Sequence, residues 1–163
     1  MRCLIAGGAG FIGSEICDQL IESGHSVIVL DNLSTGNIGN LNPNAAFIKS
    51  DLSLDSQDII SSYFQNIDYV FHCAALPNVQ YSIEYPQESN IANVHSTIKI
   101  LTACAAHKIK KIIYSSSCSV YGNSDTIPTD ENCAISPLSP YALQKYIGEE
   151  YCHLYNKIYS INY

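Results

Sequence analysis

Tyr141 and Lys145 stand four residues apart where a helix begins, so both side chains project from one face. A phenol with a pKa of about 10 is a poor base at neutral pH, and a nearby ammonium stabilises its phenolate. Ser117 closes the run Ser115-Ser116-Ser117 after an apolar stretch. Its hydroxyl can polarise an alcohol or carbonyl oxygen, or it can cap its own backbone. Such a Ser, Tyr and Lys set is a proton relay for alcohol–ketone chemistry, with the hydride carried by a nicotinamide cofactor. With 12 tyrosines in the chain a Tyr–Lys pair at this spacing arises easily by accident. The pair therefore has weight only beside a dinucleotide site.

Gly7, Gly10 and Gly13 supply that site with the pattern G-x-x-G-x-x-G, set between an apolar run and a helical stretch. The first glycine permits a tight turn, the second lets backbone approach a pyrophosphate, and the third allows close helix–sheet packing. The helix opening at Phe11 and Ile12 offers free N–H groups and a favourable dipole to the diphosphate. Asp31 ends the second apolar run and is placed to accept hydrogen bonds from the adenosine ribose hydroxyls. No arginine stands near Asp31 to offset a 2′-phosphate, so NAD is expected over NADP. Asp51 follows the third run and can either touch the adenine amine or cap its own loop.

The elements that must position these residues alternate strand with helix. Apolar strands are expected at 3–6, 27–30, 46–50, 69–72 and 111–115, and helices at 11–23, 55–64, 88–107 and 141–156. In the first helix Ile12, Ile16 and Leu20 form a stripe, with Gly24 as the stop; in the third the stripe is Ile91, Val94, Ile98, Leu101 and Ala105. Strands that are apolar throughout and alternate with helices mean a Rossmann-like parallel sheet covered on both faces. Ser160 to Tyr163 read as the opening of a sixth strand, so residues 1–163 are expected to be an incomplete NAD-binding domain, the front part of a longer chain. His72 is expected to end the fourth strand as a packed, hydrogen-bonded side chain rather than as a base.

Composition narrows the classes. Eight Lys and Arg against 15 Asp and Glu give a net charge of −7, with no basic footprint for nucleic acid. The seven cysteines are scattered, without C-x-x-C spacing, and read as buried thiols in a reducing compartment. His72, His107 and His153 lack metal-ligand spacing, and no metal is expected. The first apolar run is too short for a signal peptide or a membrane span, which makes the cytoplasm the expected compartment. A serine hydrolase is excluded by the lack of a G-x-S-x-G elbow.

Six segments in order then carry a resemblance: GGAGFIG at 7–13, DNLSTG at 31–36, HCAALPNV at 72–79, NVHST at 93–97, SSSCSVYG at 115–122 and SPYALQK at 139–145. Over its whole length the chain resembles the extended short-chain dehydrogenase/reductase family, in the branch of nucleotide-sugar epimerases and dehydratases. The resemblance implies that Gly7, Gly10 and Gly13 wrap the diphosphate and that Asp31 and Asn32 hold the ribose. It places Asp51 and Leu52 at the adenine, Ala74 and Ala75 along the cofactor cleft, and Asn93 as the tie between its helix and that cleft. Ser117, Tyr141 and Lys145 become the catalytic trio, with Lys145 also on the nicotinamide ribose. A smaller substrate domain, absent here, would hold a UDP-sugar or other nucleotide sugar. The two helices at 88–107 and 141–156 would carry a homodimer contact. Dehydratase-like members usually show Thr followed by Asp and Glu at this position, whereas this chain has Ser117-Cys118-Ser119. Together with the DNLSTG loop, this resembles the UDP-glucose 4-epimerase branch and implies epimerisation at C4. Reductase, dehydratase and decarboxylase relatives are the alternatives, and a non-catalytic NAD-binding or assembly module is the other class.

Overall fold

Parallel pairing joins five strands, β1 (Arg2–Ala6), β2 (Ser26–Asp31), β3 (Ala46–Lys49), β4 (Tyr69–His72) and β5 (Lys111–Tyr114), in the order β3-β2-β1-β4-β5. The computed structural model describes residues 1–124 and 126–163. Register runs Leu4 to Ile28 and Val70, Ile28 to Ala46, and Val70 to Ile112. Order reverses between β1 and β4, and in such sheets the crevice beyond the carboxyl ends at that reversal is where ligands bind. Gly7 follows β1 and Cys73 follows β4, so both expected halves of the site lie at this point.

Alternation along the strands divides the core in two. Leu4, Ala6, Leu30, Val70 and Ile112 face Ile60, Phe64, Ile100, Leu101, Cys104 and Cys152. Ile5, Val27 and Val29 face Cys17, with Ile16, Leu20 and Ile21 packed around it. Each fully buried side chain of this size contributes about 1.5–3 kcal/mol. The helices on the first face are α2 (Gln57–Ser62), α5 (Ser96–Ala106) and α6 (Pro140–Tyr159), and α1 (Phe11–Glu22) covers the second.

Three expectations need correcting. In α1 the buried positions are Gly13 and Cys17, while Ile12 is exposed. The helix presses its small residues onto the sheet and leaves its first apolar turn at the crevice. The single helix expected at 88–107 is α4 (Pro86–Asn90), a π-helical turn (Ile91–His95) and α5. The π turn shifts the phase of the apolar stripe, so Ile91 is exposed while Ile100, Ala103 and Cys104 are buried with Leu101. A further helix, α3 (Val79–Glu84), was not expected; it is one short run capped by Asn78, whose Oδ1 accepts from Tyr81 N at 2.9 Å.

At the far end Asn162 forms a parallel bridge to Lys111, and Ile112 N donates to Asn162 O at 2.9 Å, with Ile161 buried. Ser160 to Tyr163 therefore begin pairing alongside β5. Cys3, Cys17, Cys104 and Cys152 are buried as expected, Cys73 and Cys133 are half-buried, and Cys118 is exposed. Among the described residues no helix is long and apolar enough to cross a membrane.

Candidate functional site

The glycine turn leaves β1 at Gly7, whose φ of 81° and close approach to β4 both require glycine. A Cβ there would lie 2.5 Å from Ala74 N, and one at Gly13 would lie 2.3 Å from Gly7 O. Gly10 differs: its nearest neighbour would be Gly7 O at 3.4 Å, so the turn is open on that side. Gly10 is also the N-cap of α1, with no side chain capping the helix. The amides of Phe11, Ile12 and Gly13 therefore have no intrahelical acceptor, and Phe11 is 91% exposed. An open glycine beside bare helix amides fits the diphosphate of a dinucleotide.

Asp31 closes the far side of the turn. One carboxylate oxygen accepts from Ala9 N at 3.0 Å and the other from Leu33 N at 2.8 Å. Each oxygen retains a lone pair, so the acid can still accept from ribose hydroxyls while it holds the glycine turn in place. Asn32 donates to Asp51 Oδ2 at 2.9 Å and accepts from Ser34 N at 2.9 Å, tying the exits of β2 and β3 together. Asp51 also accepts from the amides of Ser53 and Leu54 and from the Ser53 hydroxyl, so its loop-capping role is present in full. Burial works to raise the Asp51 carboxyl, but the hydrogen bonds from Ser53 and Asn32 outweigh it and hold the group below its ordinary range. Leu52 beside it is buried.

Ala74 and Ala75 are half-buried at the exit of β4, where Cys73 N donates to Ala6 O at 2.8 Å. Asn93, 2% exposed, grips this exit with both ends of its amide: Oδ1 accepts from Leu76 N at 2.7 Å and Nδ2 donates to Leu76 O at 3.1 Å. Its Nδ2 also reaches Gln144 Oε1 at 2.8 Å, and Ser89 Oγ donates to the same oxygen at 2.8 Å. Asn93 thus binds the cleft to α6 as well as to its own helix. The π turn falls on this residue.

Sequence reasoning missed Ser89, Thr97, Gln144 and Ser82, because each acts through a partner 25 to 59 residues away. Thr97 donates to Asn93 O at 2.6 Å, so at 2.9 Å it must accept from His72 Nε2–H. His72 Nδ1 is then a buried acceptor with no partner among the described residues. Burial, with the Lys145 charge second, lowers the His72 pKa to about 3. His72 is a neutral packed ring, as expected.

Tyr141 and Lys145 are 8% and 3% exposed. Ser139 caps α6, accepting from Ala142 N at 3.1 Å, and Pro140 occupies the first turn, where a missing N–H costs nothing. Burial lowers the Lys145 pKa from 10.5 to about 8, while Cys73 and Glu149 pull it back up. The Lys145 ammonium has no hydrogen-bond partner among the described residues. It is a cation held with its donors free. Ser117 caps the short turn Cys118–Tyr121 that packs on α6, its Oγ accepting from Ser119 N at 3.2 Å and donating to Ser119 Oγ at 3.0 Å. The fold thus brings the Ser117 turn, Tyr141 and Lys145 to the same end of the sheet as the glycine turn. Among the described residues no hydrogen bond links the three to one another.

Residues 3–163 match the sequence pattern of the NAD dependent epimerase/dehydratase family. The chain is 48% identical over 162 residues to a putative UDP-glucose 4-epimerase of Methanocaldococcus jannaschii, covering 98% of this chain and 52% of that protein. A UDP-glucose 4-epimerase of Thermotoga maritima, solved with UDP-glucose, superposes with a TM-score of 0.94 at 37% identity, over 99% of this chain and 53% of that one. The UDP-glucose 4-epimerase of Brucella ovis, solved in complex with NAD, gives a TM-score of 0.92 at 33% identity, over 98% and 49%. The chain spans about half the length of the relatives it matches. With that match running from the first strand to the end of the sequence, the chain belongs to the NAD dependent epimerase/dehydratase family.

Proposed function

We propose that this chain provides the NAD site and the proton relay of an epimerase that inverts C4 of a nucleoside-diphosphate sugar, with UDP-hexose the favoured substrate. The observation that carries the reading is the buried Lys145 ammonium, its donors unengaged among the described residues, one helical turn from Tyr141 at the sheet end that also bears the glycine turn. Its likeness to UDP-glucose 4-epimerases supports the choice of C4 and of UDP.

Gly7, Gly10, Phe11, Ile12 and Gly13 hold the diphosphate through backbone, Asp31 and Asn32 the adenosine ribose, and Asp51 and Leu52 the adenine. Ala74 and Ala75 wall the cleft, and Asn93 keeps that wall against α6. NAD, when bound, supplies the hydride acceptor and donor at C4. Lys145 stabilises the Tyr141 phenolate by its charge and holds the nicotinamide ribose through its free donors. Tyr141 takes the proton of the C4 hydroxyl and returns it to oxygen once the 4-keto sugar has presented its other face. Ser117 polarises the same oxygen. Cys118 and Ser119 provide no acid to remove a C5 proton, which supports epimerisation over elimination of water.

In this reading the enzyme works as a homodimer through the α4–α6 face, where Ile91, Leu143, Leu154 and Ile158 are exposed, and its compartment is the cytoplasm. Assaying the complete polypeptide that carries this sequence against a panel of UDP-sugars tests the function. Interconversion of C4 epimers is the expected result, and NAD binding without turnover of any of them would overturn it.

A further inference from the structure

Lys145 presents a physical problem that the family assignment does not answer. An ammonium 3% exposed, with no carboxylate in salt-bridge contact among the described residues, must still be fixed in one place to be useful. Its Nζ lies 4.4 Å from the centroid of the Tyr114 ring at the end of β5. That ring in turn stands 5.5 Å from the ring of His72 on β4. The Tyr114 hydroxyl reaches towards Lys145 O at 3.4 Å. Space for the ring against α6 exists only because residue 148 is glycine: a Cβ there would lie 2.2 Å from the Tyr114 hydroxyl oxygen.

We propose that Tyr114 is a positioning residue for Lys145, its ring face anchoring the ammonium while leaving the N–H donors free for ligands. The proposal rests on the reading of Lys145 given above. A ring attracts a cation through its quadrupole, most strongly where water is excluded. A carboxylate in that place would occupy the donors and favour the charged form far more strongly. The groups facing Lys145 fit this division. His72 on β4 is neutral, Cys73 beyond it bonds to Ser115, and Cys152 lies on α6. Glu149, also on α6, is engaged by the Ser116 hydroxyl. Burial holds the Tyr114 phenol above its ordinary range, so the ring stays uncharged as well. Gly148, on the face of α6 next to Lys145, reads as the space that this stacking needs.

The test compares Tyr114→Leu, which keeps apolar volume without a π-face, with Tyr114→Phe, which keeps the ring without the hydroxyl. NAD affinity is measured by calorimetry and turnover in the complete polypeptide. Losing the ring is expected to weaken NAD and lower kcat/KM by about tenfold each, and Tyr114→Phe to restore most of both. Equal behaviour of the two variants, harmless or harmful, would overturn the proposal. Nuclear magnetic resonance gives a readout that survives misfolding of the Leu variant. The Lys145 Hε protons of the unsubstituted protein should be displaced upfield by the ring current, and no displacement would overturn the proposal too. Lys145→Met separates the two levels. If it leaves NAD binding and turnover unchanged, the role given to Lys145 fails; if it damages both while Tyr114→Leu does not, only the role of Tyr114 fails.

Discussion

The backbone amide of Tyr141 donates to the hydroxyl of Ser82 at 3.1 Å, across 59 residues of sequence. Ser82 is fully buried and its hydroxyl donates to Val79 O at 2.6 Å, so its acceptor side has one orientation. An amide in the first turn of a helix has no intrahelical acceptor, and here α3 provides it. Tyr141 is thereby held in depth as well as in direction. Ser82→Ala should cost about 1 kcal/mol of stability, since it leaves a buried amide unpaired. It should also lower kcat roughly tenfold or more by loosening the phenol. Denaturant unfolding and steady-state kinetics of the complete polypeptide check the two parts separately.

In the proposed reading Asp31 joins two jobs in one carboxylate, which accepts from Ala9 N in the glycine turn and would accept from the ribose as well. Asp31→Ala should weaken NAD and narrow the gap between NAD and NADP. Calorimetric titration of both cofactors measures this. NADP binding as tight as NAD binding in the unsubstituted protein would show that the acid does not read the ribose.

His72 makes folding sensitive to acid. Its pKa falls from 6.5 to about 3 through burial, so the unfolded chain binds more protons between those values. Its contribution is complete above pH 6.5 and is lost progressively as pH falls towards 3. Replacing it by Leu should flatten the fall in unfolding free energy between pH 7 and 4.5. An unchanged slope in denaturant titrations would place the acid sensitivity elsewhere.

Tyr141→Phe should lower turnover of the complete polypeptide by roughly 10²–10⁴-fold while leaving NAD affinity nearly intact. Only the hydroxyl is removed, and the buried ring retains its packing. Unchanged kcat at saturating substrate would remove Tyr141 from the chemistry.

Local pattern and long-range pattern were legible to different degrees. Cys3 to Ala6 and Val27 to Leu30 are apolar on both faces, and burial on both sides of the sheet follows directly. Gly7 and Gly13 could be read because the turn they make is local. The phase of the 88–107 segment could not, since one π turn breaks a 3.6-residue stripe without any Gly or Pro to announce it. The break falls at Asn93, whose amide is committed to Leu76 and Gln144. The chain from His72 through Thr97 to Asn93 and Gln144 was equally hidden. Ordinary polar residues take on meaning there only once β4, α5 and α6 have met.

In the proposed mechanism protons move only between oxygens, with Tyr141 as the carrier, while hydrogen at C4 returns to the same carbon. Mass spectrometry of the sugar product after full conversion in heavy water decides the matter. A C4 epimer with no deuterium on carbon is the expected product. One non-exchangeable deuterium per turnover, at C4, C5 or C6, would exclude hydride return to the same carbon.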